Sequence, residues 1–177
     1  HEGGYLPFEC VAPQALLRPE NELEVDVLLP DGDPKTAADF PFAEIPHGKQ
    51  SWYGPLGGIW QSVVLEARDP VHLIHCRILA ERVTGKVSLQ LQLSAAKSGV
   101  EAHVHVTGPD GAPAASVKRS AEGQDATVEF AVPQPKPWSP DSPNLYSARI
   151  ELRKGRETLD VSSKTFGIRS IETRDGK

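Results

Sequence analysis

Val87-Ser88-Leu89-Gln90-Leu91-Gln92-Leu93 alternates apolar and polar side chains without a break. A strand sends successive side chains to opposite faces, so this spacing buries one face and wets the other. The same period recurs on both sides of it. Leu23, Val25 and Val27 alternate with Glu22, Glu24 and Asp26; Ala102, Val104 and Val106 alternate with Glu101, His103 and His105; Val128 and Phe130 alternate with Thr127 and Glu129; Ala148, Ile150 and Leu152 follow Tyr146. Gly108-Pro109-Asp110-Gly111, Glu122-Gly123-Gln124-Asp125 and Lys154-Gly155-Arg156 supply turns between them. No apolar stripe of period 3.6 runs long enough to make a helix.

The chain is therefore read as all-β, built of antiparallel β-sandwiches. Seven strands are expected over 71–80, 86–94, 100–107, 114–119, 126–132, 146–153 and 157–166. That number, with Gly/Pro turns at this spacing, describes an immunoglobulin-like sandwich over 69–168. Tyr146 stands where a turn enters the sixth strand, the place of a tyrosine corner, whose hydroxyl bonds back to upstream backbone. Residues 1–68 differ: two strands are expected, at 23–29 and 59–67, around a Pro/Gly-rich stretch from Pro30 to Gln50. So few strands make no independent core and leave sheet edges unpaired, from which self-association through strand pairing is expected.

Composition narrows the function. The 177 residues carry 19 Lys+Arg against 24 Asp+Glu, a net charge of -5, which lacks the basic footprint of a nucleic-acid binder. No run of about 20 apolar residues exists to span a bilayer, so no membrane partner is expected. The chain contains no Met and begins His1-Glu2-Gly3-Gly4-Tyr5, the mark of a piece of a longer protein. Cys10 and Cys76 have no metal-ligand spacing; two buried thiols are expected, a single disulfide being the alternative.

Five stretches, read in order, carry a family resemblance. They are His1-Glu2-Gly3-Gly4-Tyr5-Leu6-Pro7-Phe8-Glu9, Asn21-Glu22-Leu23-Glu24-Val25, Gly57-Gly58-Ile59-Trp60-Gln61-Ser62-Val63, Trp138-Ser139-Pro140-Asp141-Ser142-Pro143-Asn144-Leu145-Tyr146 and Phe166-Gly167-Ile168-Arg169. The chain resembles the non-catalytic N-terminal region of a family 2 glycoside hydrolase, the group of β-galactosidases, β-glucuronidases and β-mannosidases. The resemblance implies the C-terminal part of a sugar-binding jelly roll over 1–68, the immunoglobulin-like domain over 69–168, and a lead-in to the catalytic barrel over 169–177. It also implies that hydrolysis of terminal β-glycosides belongs to the whole enzyme, that the barrel is this region's partner, and that no cofactor is needed. A bacterial-type cytoplasmic enzyme is the expected setting, with secretion the alternative.

No residue matches either catalytic glutamate of that family, whose retaining chemistry needs two carboxyls about 5–5.5 Å apart. Acids such as Glu22, Glu24 and Asp26 read as a solvated strand face, so no catalytic residue is assigned. An aromatic ring offers a platform to a sugar's C–H face while flanking polar groups bond its hydroxyls. Trp52 and Tyr53, with Lys49 and Gln50, form the candidate surface, either for carbohydrate or for packing on the barrel, the latter favoured. A stand-alone carbohydrate-binding module is the alternative function. Trp60, Trp138, Tyr146 and Phe166 are expected to be structural: Trp60 in a core or inter-domain contact, Trp138 plugging the end of the sandwich. Glu101, His103 and His105 share a strand face, yet a zinc site wants a further ligand, and His72 and His75 point to opposite faces. A solvent-facing polar stripe is the preferred reading, with no metal.

Overall fold

A computed structural model describes residues 1, 6–27 and 58–171. Seven strands follow one another: β1 Leu73–Ala80, β2 Lys86–Leu93, β3 Val100–Thr107, β4 Pro113–Ser120, β5 Asp125–Ala131, β6 Tyr146–Lys154 and β7 Glu157–Phe166. They form a three-stranded sheet ordered β1-β2-β5 and a four-stranded sheet ordered β4-β3-β6-β7, every pairing antiparallel. β5 pairs with β2 instead of its neighbour β4, and β6 returns to β3. These crossings place the two sheets face to face as an immunoglobulin-like sandwich.

Alternation explains which residues meet inside. Val87, Leu89, Leu91 and Leu93 of β2 face Val100, Ala102, Val104 and Val106 of β3 and Ala148, Ile150 and Leu152 of β6 in one buried core. Their polar alternates Gln90, Gln92, Glu101 and Arg149 stay at the surface. Each fully buried aliphatic side chain contributes about 1.5–3 kcal/mol of transfer free energy, so this layer dominates the stability of the sandwich.

β1 breaks the simple pattern. Leu73 faces the core, but a register shift between Leu73 and His75 resets the phase, so that Cys76, Ile78 and Ala80 pack inward from then on. The displaced Leu73 N–H donates to Asp160 Oδ2 of β7 at 2.8 Å, a bond that ties one sheet to the other. His72 N–H donates to Ser94 Oγ at 2.9 Å, and Ser94 Oγ donates to Pro70 C=O at 2.7 Å, which fastens the strand's entry.

The chain divides into two units, His1–Leu65 and Glu66–Lys177. In the first, the only regular element among the described residues is a short 3-10 turn at Gln14–Leu16. Asn21 closes a local loop, its Oδ1 accepting from Arg18 N–H at 2.8 Å while its Nδ2 donates to Arg18 C=O. The strands expected at 23–29 and 59–67 are not formed in their described parts, 23–27 and 59–67. Leu23, Val25, Val27 and Trp60 are exposed instead of facing a core. Alternation makes a segment competent for a sheet, but it becomes a strand only when a ladder partner satisfies its backbone groups. No such partner lies alongside among the described residues.

Candidate functional site

The most elaborated end of the sandwich is where β6 begins and β7 ends. Tyr146 is buried there, its ring 5.5 Å from that of Phe166 and inclined by 24°. Its hydroxyl accepts the Lys136 N–H at 2.8 Å. One side chain thereby anchors both the start of β6 and the loop that precedes it. Lys136 continues outward to Asp110 Oδ2, 2.8 Å away, joining that loop to the β3–β4 turn. The Lys136 hydrogen bond, aided by the Ala112 N–H, holds the Asp110 carboxyl below the ordinary aspartate range, and the Asp110 carboxylate in turn raises Lys136. Both side chains are exposed, so the pair orients the turn more than it stabilises the fold.

Trp138 sits on the same loop, half-buried, bridged to Pro143 and donating its N–H to Ile168 C=O at 2.9 Å. Its indole covers Gly167: a Cβ at that position would lie 2.9 Å from Trp138 Cβ. The Arg169 guanidinium stands over the same ring, 5.2 Å from its centroid and within cation–π range. A cavity of about 660 Å3 opens beside this exit, lined by Leu79, Glu81, Arg82, Phe130, Arg169 and Ser170 among others. Gly85, in the β1–β2 turn next to it, approaches Val132 C=O closely and accepts the Val132 N–H at 2.9 Å.

The aromatic surface proposed from sequence, Lys49, Gln50, Trp52 and Tyr53, lies outside the described residues, as does most of the 169–177 tail, from Glu172 onward. Trp60, expected in a core or inter-domain contact, has three-quarters of its surface exposed, in keeping with the missing ladder over 59–67. Trp138, Tyr146 and Phe166 are brought together at one end. Arg169 was legible only as part of a motif. Its contact with Trp138 joins residues far apart in sequence, which no local spacing encodes.

The outer face of the four-stranded sheet carries the polar stripe. His103 Nε2 lies 3.1 Å from Glu101 Oε2, and His105 Nδ1 3.2 Å from Ser116 Oγ. No group of three His, Cys, Asp or Glu side chains converges among the described residues. One acid departs from the expectation that carboxylates stay on wetted faces: Glu151, opposite His103 in the ladder, is only 5% exposed. Arg149 and Arg153, two residues to either side on the same strand face, fold over its carboxylate and pair with both oxygens. A carboxylate covered by two guanidiniums loses water but keeps its hydrogen bonds, which makes the burial tolerable.

The cysteines correct the sequence reading. Both are free, but Cys10 is exposed and only Cys76 is partly buried. Cys10 falls in a stretch without regular structure among the described residues. Burial pushes the Cys76 thiol above its ordinary 9.0, against the opposing pull of Lys164. The neutral thiol's stabilisation is thus complete below that ordinary value and is lost as pH rises through the higher folded one. Thiolate is the reacting species, so a short pulse of iodoacetamide at neutral pH should label Cys10 at least about tenfold faster than Cys76. Peptide mass spectrometry checks this, and equal rates would contradict it.

Comparison with known proteins places these features. Residues 71–169 match the family model described as glycosyl hydrolases family 2. The chain belongs to that family. The match covers the whole sandwich and the first residues after β7. A putative beta-glucuronidase of Formosa agariphila is 30% identical over 68% of this chain and 12% of its own length. A beta-galactosidase of Thermoanaerobacter pseudethanolicus is 26% identical over 99% of this chain and 23% of its own. The beta-glucuronidase of Bifidobacterium dentium, solved with coumarin-3-O-glucuronide, shares the fold with a TM-score of 0.53 and 22% identity, over 60% of this chain and 20% of that one. This family 2 chain thus spans between about an eighth and a quarter of the length of the curated relatives named here. Among the described residues no helix is long and apolar enough to cross a membrane.

Proposed function

We propose that this chain is the non-catalytic front region of a hydrolase of terminal β-glycosides, with residues 1–68 as part of a sugar-binding jelly roll and the sandwich as a buttress for the catalytic barrel. The observation that carries the reading is the extent of the family match: it falls on the sandwich, 71–169, while glycosidases of the family that resemble this chain along its length are several times longer. The chemistry of the described residues agrees with a supporting role. Glu151, buried in the sandwich, has both carboxylate oxygens engaged by Arg149 and Arg153, an arrangement that holds the strand face together. The loops and strand ends around Tyr146 and Trp138 instead make a braced platform, suited to fixing how a neighbouring domain is held.

The test compares the full-length parent protein with residues 1–177 alone on aryl β-galactoside, β-glucuronide and β-mannoside. The full-length protein should hydrolyse at least one of them with retention of configuration, and the isolated chain none. Turnover by the isolated chain, or a full-length protein inert towards all three, would overturn the proposal.

A further inference from the structure

Three consecutive residues beyond β7 are each held by a different contact with one loop. Gly167 fits only because it lacks a Cβ beneath the Trp138 indole. Ile168 is fully buried, and its C=O accepts the Trp138 N–H. Arg169 places its guanidinium over the ring of the same indole, 5.2 Å from its centroid. The loop that offers these contacts is itself braced. Lys136 N–H is fixed by the Tyr146 hydroxyl, Asn144 Nδ2 donates to Pro137 C=O at 2.9 Å, and Ser139 and Ser142 exchange backbone hydrogen bonds across a tight turn.

A strand end without such contacts frays, because its last residues lose ladder partners. Here the backbone continues straight into a second set of restraints on a rigid support. We infer that Trp138, Gly167 and Arg169 form a clamp that fixes the direction in which the chain leaves the sandwich, and that they act as positioning residues for catalysis in the domain that follows. That role rests on the hydrolase reading above. Reacting groups must be held within about half an ångström of productive geometry, so angular play at the joint between a buttress and its barrel reaches the chemistry. Arginine suits this contact because a planar guanidinium can stack on an indole face, whereas an ammonium meets the ring as a hydrated point charge.

The experiment uses the full-length protein with Arg169→Gln, Arg169→Lys and Gly167→Ala, read by three measurements: hydrogen exchange of the amides from Ile168 to Ile171, kcat and KM on the aryl β-glycoside it cleaves, and thermal melting. Because Arg169 is exposed, Arg169→Gln should leave melting within about 2 °C while exchange in the segment rises about 2–5-fold, the range of an exposed cation–π contact. kcat should fall by a similar factor with KM little changed, and Arg169→Lys should restore part of both. Gly167→Ala, which forces the indole away, should loosen the segment by about tenfold or more. Unchanged exchange in both Arg169→Gln and Gly167→Ala would overturn the clamp. Looser exchange with kcat and KM at wild-type values would overturn its positioning role. A wild-type protein that cleaves no β-glycoside would instead sink the hydrolase reading, with the exchange data still deciding whether the clamp exists.

Discussion

Gly85→Ala should lower the melting temperature of the sandwich by roughly 10–20 °C, the equivalent of about 3 kcal/mol in a domain of this size. Two costs add. Gly85 has φ +68°, a left-handed conformation that a side chain disfavours by about 1–2 kcal/mol. A Cβ there would also stand 2.4 Å from Val132 C=O and 3.2 Å from Pro135 Cγ. The nearer atom is backbone, so relief requires the β1–β2 turn to back away. That movement breaks the hydrogen bond from Val132 N–H to Gly85 C=O, worth about a further 1 kcal/mol. Gly111→Ala is the control, because its φ is +81° but a Cβ would meet nothing within 4 Å. It should show the backbone cost alone. If the two variants melt within about 2 °C of each other, the close approach carries no energy. The consequence reaches the candidate site, since Val132 and Pro135 open the loop that leads to Trp138.

How much of this was visible beforehand follows from what each feature depends on. β2, β3 and β6 were legible because one buried face imposes a period of two, and the turns at Gly108–Gly111 and Gly155 mark where the chain reverses. Their observed bounds differ from the expected ones by a residue or so at most, the usual play of fraying ends. β1 was legible as an element but not in its phase. The shift after Leu73 is set by the Asp160 carboxylate on a distant strand that receives the displaced N–H. The first unit shows the converse. Leu23, Val25 and Val27 keep the alternating pattern, yet with no ladder partner among the described residues they stay exposed, because pattern states what a segment can do and pairing decides what it does. Glu151 carries no signal in the sequence: a carboxylate on an outward position is normally wet, and Arg149 and Arg153 on the same face cover this one. The Trp138 end was half visible. Tyr146 stands where a turn meets a strand, a local relation, whereas the contacts of Trp138 with Gly167 and Arg169 join loop to chain exit across the fold.

Leu89→Ala, at the centre of β2, should cost about 3–5 kcal/mol and leave the sandwich partly unfolded at physiological temperature. Leu89 has no exposed surface and stands between Ile78 on β1 and Val128 on β5 in the ladder. Truncation removes its contacts from a position flanked by strands on both sides, so neighbours can close the gap only by bending two ladders at once. The cavity therefore persists and adds to the lost transfer energy, which puts this site at the costly end of the range for leucine truncations. Ile78, at an edge strand and only partly buried, provides the comparison. Ile78→Ala should cost less than half as much, because among the described residues β1 is held by a ladder on one side only and can relax more readily. Urea unfolding monitored by circular dichroism at 218 nm measures both, with equal slopes required for the comparison to hold. Equal midpoints for the two variants would mean that the inter-sheet layer around Leu89 collapses as readily as the edge, and that the sandwich is not packed from its centre.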